Sequence, residues 1–186
     1  MKKKGFTLVE ALVALAVVGV VAAITIPQIA LGVQKKQAGA MLAKAYAQIQ
    51  QGMQNYVQGY NDTSADGSFV EKWTDIPNKD IKVLMTYAGV KSVDISGVDE
   101  AYRFNKLPVE FILTGSNVPY DIEIDINGIE KKPNISSVDR FKFTLTEEGK
   151  FEPFGKNDWR TKCGTTITDK DSCTARVVAE GWKITY

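Results

Sequence analysis

An uncharged, apolar run from Ala11 to Gln34 stands near the head of this chain and limits its possible folds more than any other feature. Coiled as a helix it would extend about 36 Å at roughly 1.5 Å per residue, enough for a hydrocarbon core of about 30 Å. Before it come Lys2-Lys3-Lys4-Gly5-Phe6-Thr7-Leu8-Val9-Glu10: a basic patch, a Gly-Phe junction and a single acid. Lys2, Lys3, Lys4 and the amino terminus outweigh Lys35 and Lys36 on the far side, so the lysine bias puts the N-terminus in the cytoplasm and the remainder outside.

Simpler uses of such a segment fit less well. A secretory signal wants a short apolar core followed by a small-residue cleavage site, whereas this run is long and closes on Thr25-Ile26-Pro27-Gln28. A lipoprotein signal needs a cysteine near the junction, and the two cysteines are Cys163 and Cys173. A plain membrane anchor explains the length and the lysines but not Glu10. A carboxylate near bilayer hydrocarbon costs about 2.5–3.5 kcal/mol on insertion scales and so calls for a specific partner. A positive α-amino group a helical turn away in the same chain, or that of a neighbouring copy, would be one.

The Gly5-Phe6-Thr7-Leu8-Val9-Glu10 core and the apolar helix after it resemble the prepilin signal of type IV pilins and type II secretion pseudopilins, over about Lys3 to Tyr56. The resemblance implies an α+β pilin-like fold, a long N-terminal helix on a C-terminal antiparallel sheet. It implies cleavage by prepilin peptidase between Gly5 and Phe6, N-methylation of Phe6, and Glu10 as the assembly residue. Pro27 falls where many pilins carry a helix-kinking proline, and a proline inside a helix does remove one backbone hydrogen bond and crowd the preceding turn. Implied partners are other pilin subunits, an inner-membrane assembly platform and its ATPase motor. Implied locations are the inner membrane before assembly, and a surface pilus or periplasmic pseudopilus after it.

Beyond the apolar run, Ala38, Leu42, Ala45, Ile49, Met53 and Tyr56 recur at three- and four-residue spacing, one apolar stripe on a helix that continues. Lys44, Gln48, Gln50, Gln51 and Gln54 take the other face, and Gly59-Tyr60-Asn61-Asp62 supplies a stop. The expected organisation is a leader at 1–5, a membrane and assembly helix at 6–34, its amphipathic continuation at 35–58, a connecting region at 59–106, and a sheet with a C-terminal disulfide loop at 107–186. Within the connection, Phe69 to Trp73 reads as a helical turn, Ile81 to Ala88 as a short helix ended by Gly89, and Tyr102-Arg103-Phe104 as a mixed stretch.

The sheet is more legible. Phe111-Ile112-Leu113 leads into a turn, and Tyr120 to Ile126 then alternates, with Ile122, Ile124 and Ile126 on one face and Asp121, Glu123 and Asp125 on the other. Asn127-Gly128 is a strong turn signal. A later strand places Phe141, Phe143 and Leu145 inward with Arg140 and Lys142 outward, so that acidic and basic rows on neighbouring strands would be complementary, worth about 0.2–1 kcal/mol per facing pair. The stretch from Asp125 to Phe141 resembles a recurring segment of bacterial pilin-like proteins. Asp125, Asn127, Glu130 and Asp139 offer oxygens to a calcium ion, but their spacing is not that of an EF-hand loop, and turn formation is the favoured reading.

Cys163 and Cys173 are an even count in the exported part, which favours a disulfide over a metal site; two free thiols are the alternative. Ser172 reads as the cap of a short helix through Val178, ended by Gly181, with Trp182, Ile184 and Tyr186 on one face of a last strand. The 186 residues carry a net charge of +1 and no histidine, which gives no strongly basic nucleic-acid surface and no histidine-based catalysis. With no Gly-rich phosphate loop or Cys-x-x-Cys pair either, the sequence points away from an enzyme and requires no cofactor. The expected function is a structural filament subunit. Two alternatives stay open: a minor pilin acting as an adhesion or DNA-binding module, and a membrane-anchored domain that never polymerises.

Overall fold

The computed structural model describes residues 7–65, 67–115 and 117–186, with backbone alone at 26–31. The chain divides into two units, Met1–Gln37 and Ala38–Tyr186. One helix, α1 (Leu8–Thr63), contributes to both.

In the first unit α1 exposes its apolar side chains, among them Leu12, Leu15, Val18 and Val21. The stretch Leu8–Thr25 is long and apolar enough to cross a membrane. The backbone stays helical through Pro27, whose side chain lies outside the described residues.

In the second unit Leu42, Ala45, Ile49 and Tyr56 are buried in the core, with Ala38 and Met53 partly buried beside them, as the three- and four-residue spacing predicts. The helix runs on to Thr63 rather than stopping near residue 58. Gly59 reads as a stop, yet a Cβ there would lie 2.7 Å from the Tyr87 hydroxyl, so the glycine serves close approach instead. The last turn is held by tertiary bonds: Asn61 Nδ2 donates to Val70 O at 2.9 Å, and Val70 N donates back to Asn61 Oδ1 at 3.0 Å.

A 3-10 turn (Trp73–Asp75) and α2 (Ile81–Tyr87) follow, the latter capped by Asp80, whose carboxylate accepts from Lys82 N at 2.8 Å. The expected helical turn thus begins at Trp73, and Phe69 is exposed. Six strands then form one sheet in sequence order: β1 (Val90–Ile95), β2 (Val98–Phe104), β3 (Glu110–Thr114), β4 (Tyr120–Asp125), β5 (Arg140–Leu145) and β6 (Phe151–Pro153). Every neighbouring pair is antiparallel, which makes the expected α+β meander.

The first hairpin was not foreseen. β1 and β2 lie where a connection was expected, because an irregularity between Val93 and Ile95 breaks the alternation that marks a strand. Ser96-Gly97, with Gly97 at φ +79°, turns the hairpin and was the available signal.

On β4 and β5, Ile122, Ile124, Phe141, Phe143 and Leu145 are fully buried against the α1 stripe. Two short helices, α3 (Trp159–Lys162) and α4 (Cys173–Ala179), close the chain. Two details correct the expectation. Ser172 occupies the position before α4, but its hydroxyl donates to Asp169 Oδ2 at 2.6 Å instead of capping a helix N–H. Residues 182–186 form no strand: Gly181 and Trp182 take φ of +71° and +64° and close α4, with Trp182 N donating to Val177 O at 2.7 Å. Trp182, Ile184 and Tyr186 pack against the core through their side chains.

Candidate functional site

The start of α1 is the first candidate. Thr7 and Glu10 form a reciprocal cap: Thr7 N and Oγ1 donate to Glu10 Oε2 at 3.1 and 3.0 Å, and Glu10 N donates to Thr7 Oγ1 at 3.3 Å. This is a capping box, Thr-x-x-Glu opening an apolar run, and it satisfies two of the helix's orphan N–H donors. Glu10 therefore has a partner that the sequence reading missed, although Thr7-Leu8-Val9-Glu10 spelled the pattern out. Only Oε2 is used; Oε1 has no hydrogen-bond partner among the described residues. Gly5 and Phe6 lie outside the described residues.

Downstream of this cap, the helix surface through Thr25 is exposed and carries no charge after Glu10. An acid fixed at the head of an unburied apolar helix is an arrangement that asks for company. Residues 1–26 match the family model described as the prokaryotic N-terminal methylation motif. The chain carries the signature of type IV pilins and pseudopilins. That motif marks structural rather than enzymatic proteins and implies processing by prepilin peptidase and assembly with other pilin subunits. No curated protein and no solved structure matches the chain. The pilin signature thus stands on the N-terminal segment alone.

Elsewhere the second unit organises its polar groups tightly. Asn127-Gly128 does not close a two-residue hairpin; it opens a long loop, 126–139, between β4 and β5. Asp125 Oδ1 accepts from Asn127 N and Gly128 N at 3.1 and 2.9 Å, and its Oδ2 accepts from Arg140 Nε at 3.1 Å. Asp139 accepts from Asn134 N, Ile135 N and Asn127 Nδ2 at 2.8, 2.7 and 3.2 Å. Of the oxygens considered for calcium, the two aspartates face N–H donors and Glu130 is exposed. Burial raises the Asp125 carboxyl above its usual range, against the Asn127 amide and Arg140, which pull it down.

The complementary rows on β4 and β5 form as the alternation predicts. Arg140 bridges Glu123 at 3.0 Å and Asp125 at 3.1 Å, and Lys142 Nζ meets Asp121 at 3.0 Å. Asp125 departs from the expectation of an outward acid, since its side chain is only 1% exposed. The loop folding over it accounts for the burial.

Cys163 and Cys173 are joined in a disulfide with Cα atoms 5.1 Å apart. It ties the end of α3 to the start of α4. Arg176 Nη1 adds bonds to the Cys163 and Gly164 carbonyls at 3.1 and 2.9 Å.

Proposed function

We propose that this chain is a subunit of a helical filament of the type IV pilus or type II secretion class. In this reading it waits in the inner membrane with its N-terminus in the cytoplasm. Prepilin peptidase cuts it between Gly5 and Phe6, and Phe6 is then N-methylated. An assembly platform with its ATPase motor lifts it into a pilus or pseudopilus. The observation that carries the reading is Glu10 held by Thr7 through one oxygen at the head of an exposed apolar helix.

The capping box fixes the carboxylate beside the helix N-terminus, where the partial positive charge of the unpaired N–H groups already favours an anion. Oε1 stays available for the α-ammonium of a neighbouring Phe6, and that pairing sets the axial stagger of one copy against the next. Apolar burial between helices then supplies cohesion at roughly 25 cal/mol per Å² once lipid is gone. Pro27 would let the helix bend or locally melt on leaving the bilayer.

Glu10→Gln separates this role from a merely local one. A glutamine still completes a capping box, whereas it cannot pair with an ammonium as an ion. The variant is expected in the membrane fraction, cleaved to begin at Phe6 by intact mass, and missing from sheared filaments. Normal incorporation of Glu10→Gln would reduce Glu10 to a cap and remove the basis for the proposal. A bulky residue in place of Gly5 is expected to leave uncut precursor.

A further inference from the structure

Within the second unit, α1, the segment 69–73, β6 and the helices α3 and α4 enclose an open groove of about 1130 Å³. One wall is a ladder of amides, Gln50, Gln54 and Gln58, spaced four apart on α1. This wall is unusual in composition: the helix from Ala45 to Asn61 carries no charged residue, although much of its surface is wet. Gln54 and Gln58 are exposed and have no hydrogen-bond partner among the described residues, and Gln50 uses only Nε2, on the Tyr46 hydroxyl at 2.9 Å. Aromatic rings complete the lining. Phe69 is 76% exposed at the rim, and Trp159 is held by Arg160 4.8 Å over its ring.

The groove is electrically balanced. Asp62, Glu71 and Glu152 are matched by Lys72, Lys150 and Lys156. A nucleic-acid strand would need a clear excess of cations, because phosphate neutralisation supplies most of its non-specific affinity. An added peptide strand is also disfavoured, although β6 is the sheet edge that borders the groove. Thr146 N to Lys150 O and Phe154 N to Lys142 O show that the backbone groups of the even residues face β5, so the backbone groups of Phe151 and Pro153 point to the open edge. Pro153 has no N–H to offer, and the Phe151 carbonyl already accepts from the Tyr46 hydroxyl at 3.1 Å.

What remains is recognition by side chains of something polar, uncharged and flat-faced. Each glutamine amide offers a carbonyl acceptor and two N–H donors, which matches hydroxyls that both give and take hydrogen bonds. Aromatic faces suit the C–H surfaces of a pyranose ring. Trp73 borders the groove but is only 2% exposed, so its ring packs beneath the surface and contact with a ligand falls to Phe69 and Trp159. We propose that this groove binds an uncharged oligosaccharide through the Gln50, Gln54 and Gln58 amides and the rings of Phe69 and Trp159. The volume suits several rings rather than one.

The test uses the full chain in zwitterionic detergent micelles, which carry no sugar headgroup. Maltohexaose, cellohexaose and the hexamer of N-acetylglucosamine are titrated, with polygalacturonate as the charged control. Glutamine side-chain and indole N–H signals and tryptophan fluorescence report binding. At least one neutral hexamer is expected to saturate the Gln54, Gln58 and Trp159 signals with a dissociation constant of roughly millimolar or tighter. Gln54→Ala with Gln58→Ala should weaken that binding about tenfold, a loss of about 1.4 kcal/mol, while the melting temperature holds. The proposal is overturned if no neutral hexamer saturates, if the double variant binds like the parent, or if polygalacturonate competes equally. Groove signals that respond to protein concentration and not to sugar would also overturn it, by assigning the wall to a second copy of the chain.

Discussion

The guanidinium of Arg140 lies 3.1 Å from the carboxylate of Asp125, directly across the β4–β5 pair, and Asp125 is buried while Arg140 reaches toward solvent. The bond does two jobs, since the other oxygen of Asp125 accepts from Asn127 N and Gly128 N and so starts the 126–139 loop. Removing the arginine strands a buried charge, and that cost exceeds the net worth of the pair itself.

Arg140→Ala is therefore expected to destabilise the chain by about 3 kcal/mol, read by urea unfolding of the full chain in micelles. Burial already raises the Asp125 carboxyl, and loss of Arg140 raises it further. A group whose folded-state value is raised favours the native state at low pH and penalises it as pH climbs through that value. The deficit of Arg140→Ala should thus shrink on acidification. Adding Asp125→Asn, which keeps an acceptor for the loop amides, should recover part of the loss at neutral pH. An unchanged deficit in the double variant would place the effect in packing instead.

The β4–β5 rows were legible because a period of two, written in isoleucine and phenylalanine against aspartate, glutamate, arginine and lysine, admits one register. The α1 stripe was legible for a similar reason. The first hairpin was not, because an irregularity near Val93 shifts the alternation midway. Gly59 misled, since it has the local chemistry of a stop while close approach to Tyr87 sets its use; Asn127-Gly128 does turn the chain, but into a long loop pinned by Asp125 and Asp139 rather than a tight hairpin. At the N-terminus, Glu10 was legible as a charge out of place, while its cap by Thr7 went unread. The groove was invisible, since it joins segments more than a hundred residues apart.

The Cys163–Cys173 bond closes a short loop, and in the chain-entropy model a loop of this size contributes about 3 kcal/mol. Replacing both cysteines by serine should lower the unfolding free energy by about that amount. The effect should be concentrated at α3 and α4, because Arg176 keeps its bonds to the Cys163 and Gly164 carbonyls. Hydrogen exchange localises it. Uniform loss of protection across β1–β5 would contradict a local role for the bridge.

Gly52 lies inside α1, where alanine would ordinarily gain about 1 kcal/mol in helix propensity. Here a Cβ would sit 2.5 Å from Ala88 Cα and 2.6 Å from its nitrogen, atoms of a backbone that cannot swing aside. Overpacking of this kind costs about 1–3 kcal/mol, so Gly52→Ala is expected to be net destabilising. Gly19, with nothing within 4 Å, is the control, and Gly19→Ala should not destabilise. Thermal melts of the two variants decide the matter. A melting temperature for Gly52→Ala at or above the parent's would mean that α2 and α1 can separate freely.

Two carboxylates near the C-terminus are held below their usual values. Glu180, ordinarily 4.5, is lowered first by the Thr185 hydroxyl and then by Arg176; Asp169, ordinarily 3.8, is lowered first by the Ser172 hydroxyl. A depressed folded-state value means that the stabilisation is complete above the ordinary value and is lost as pH falls through the folded one. Stability should therefore be flat above 4.5 as far as these groups are concerned, and should decline below it. The tail 182–186 is expected to loosen with the Glu180 step, since Thr185 Oγ1 is bonded to Glu180 Oε2 at 2.6 Å. Glu180→Gln should remove that part of the acid transition and leave the Asp169 part in place. Side-chain carboxyl signals followed from neutral pH downward would show it, and coincident loss of both contributions in the variant would mean that the two sites act as one.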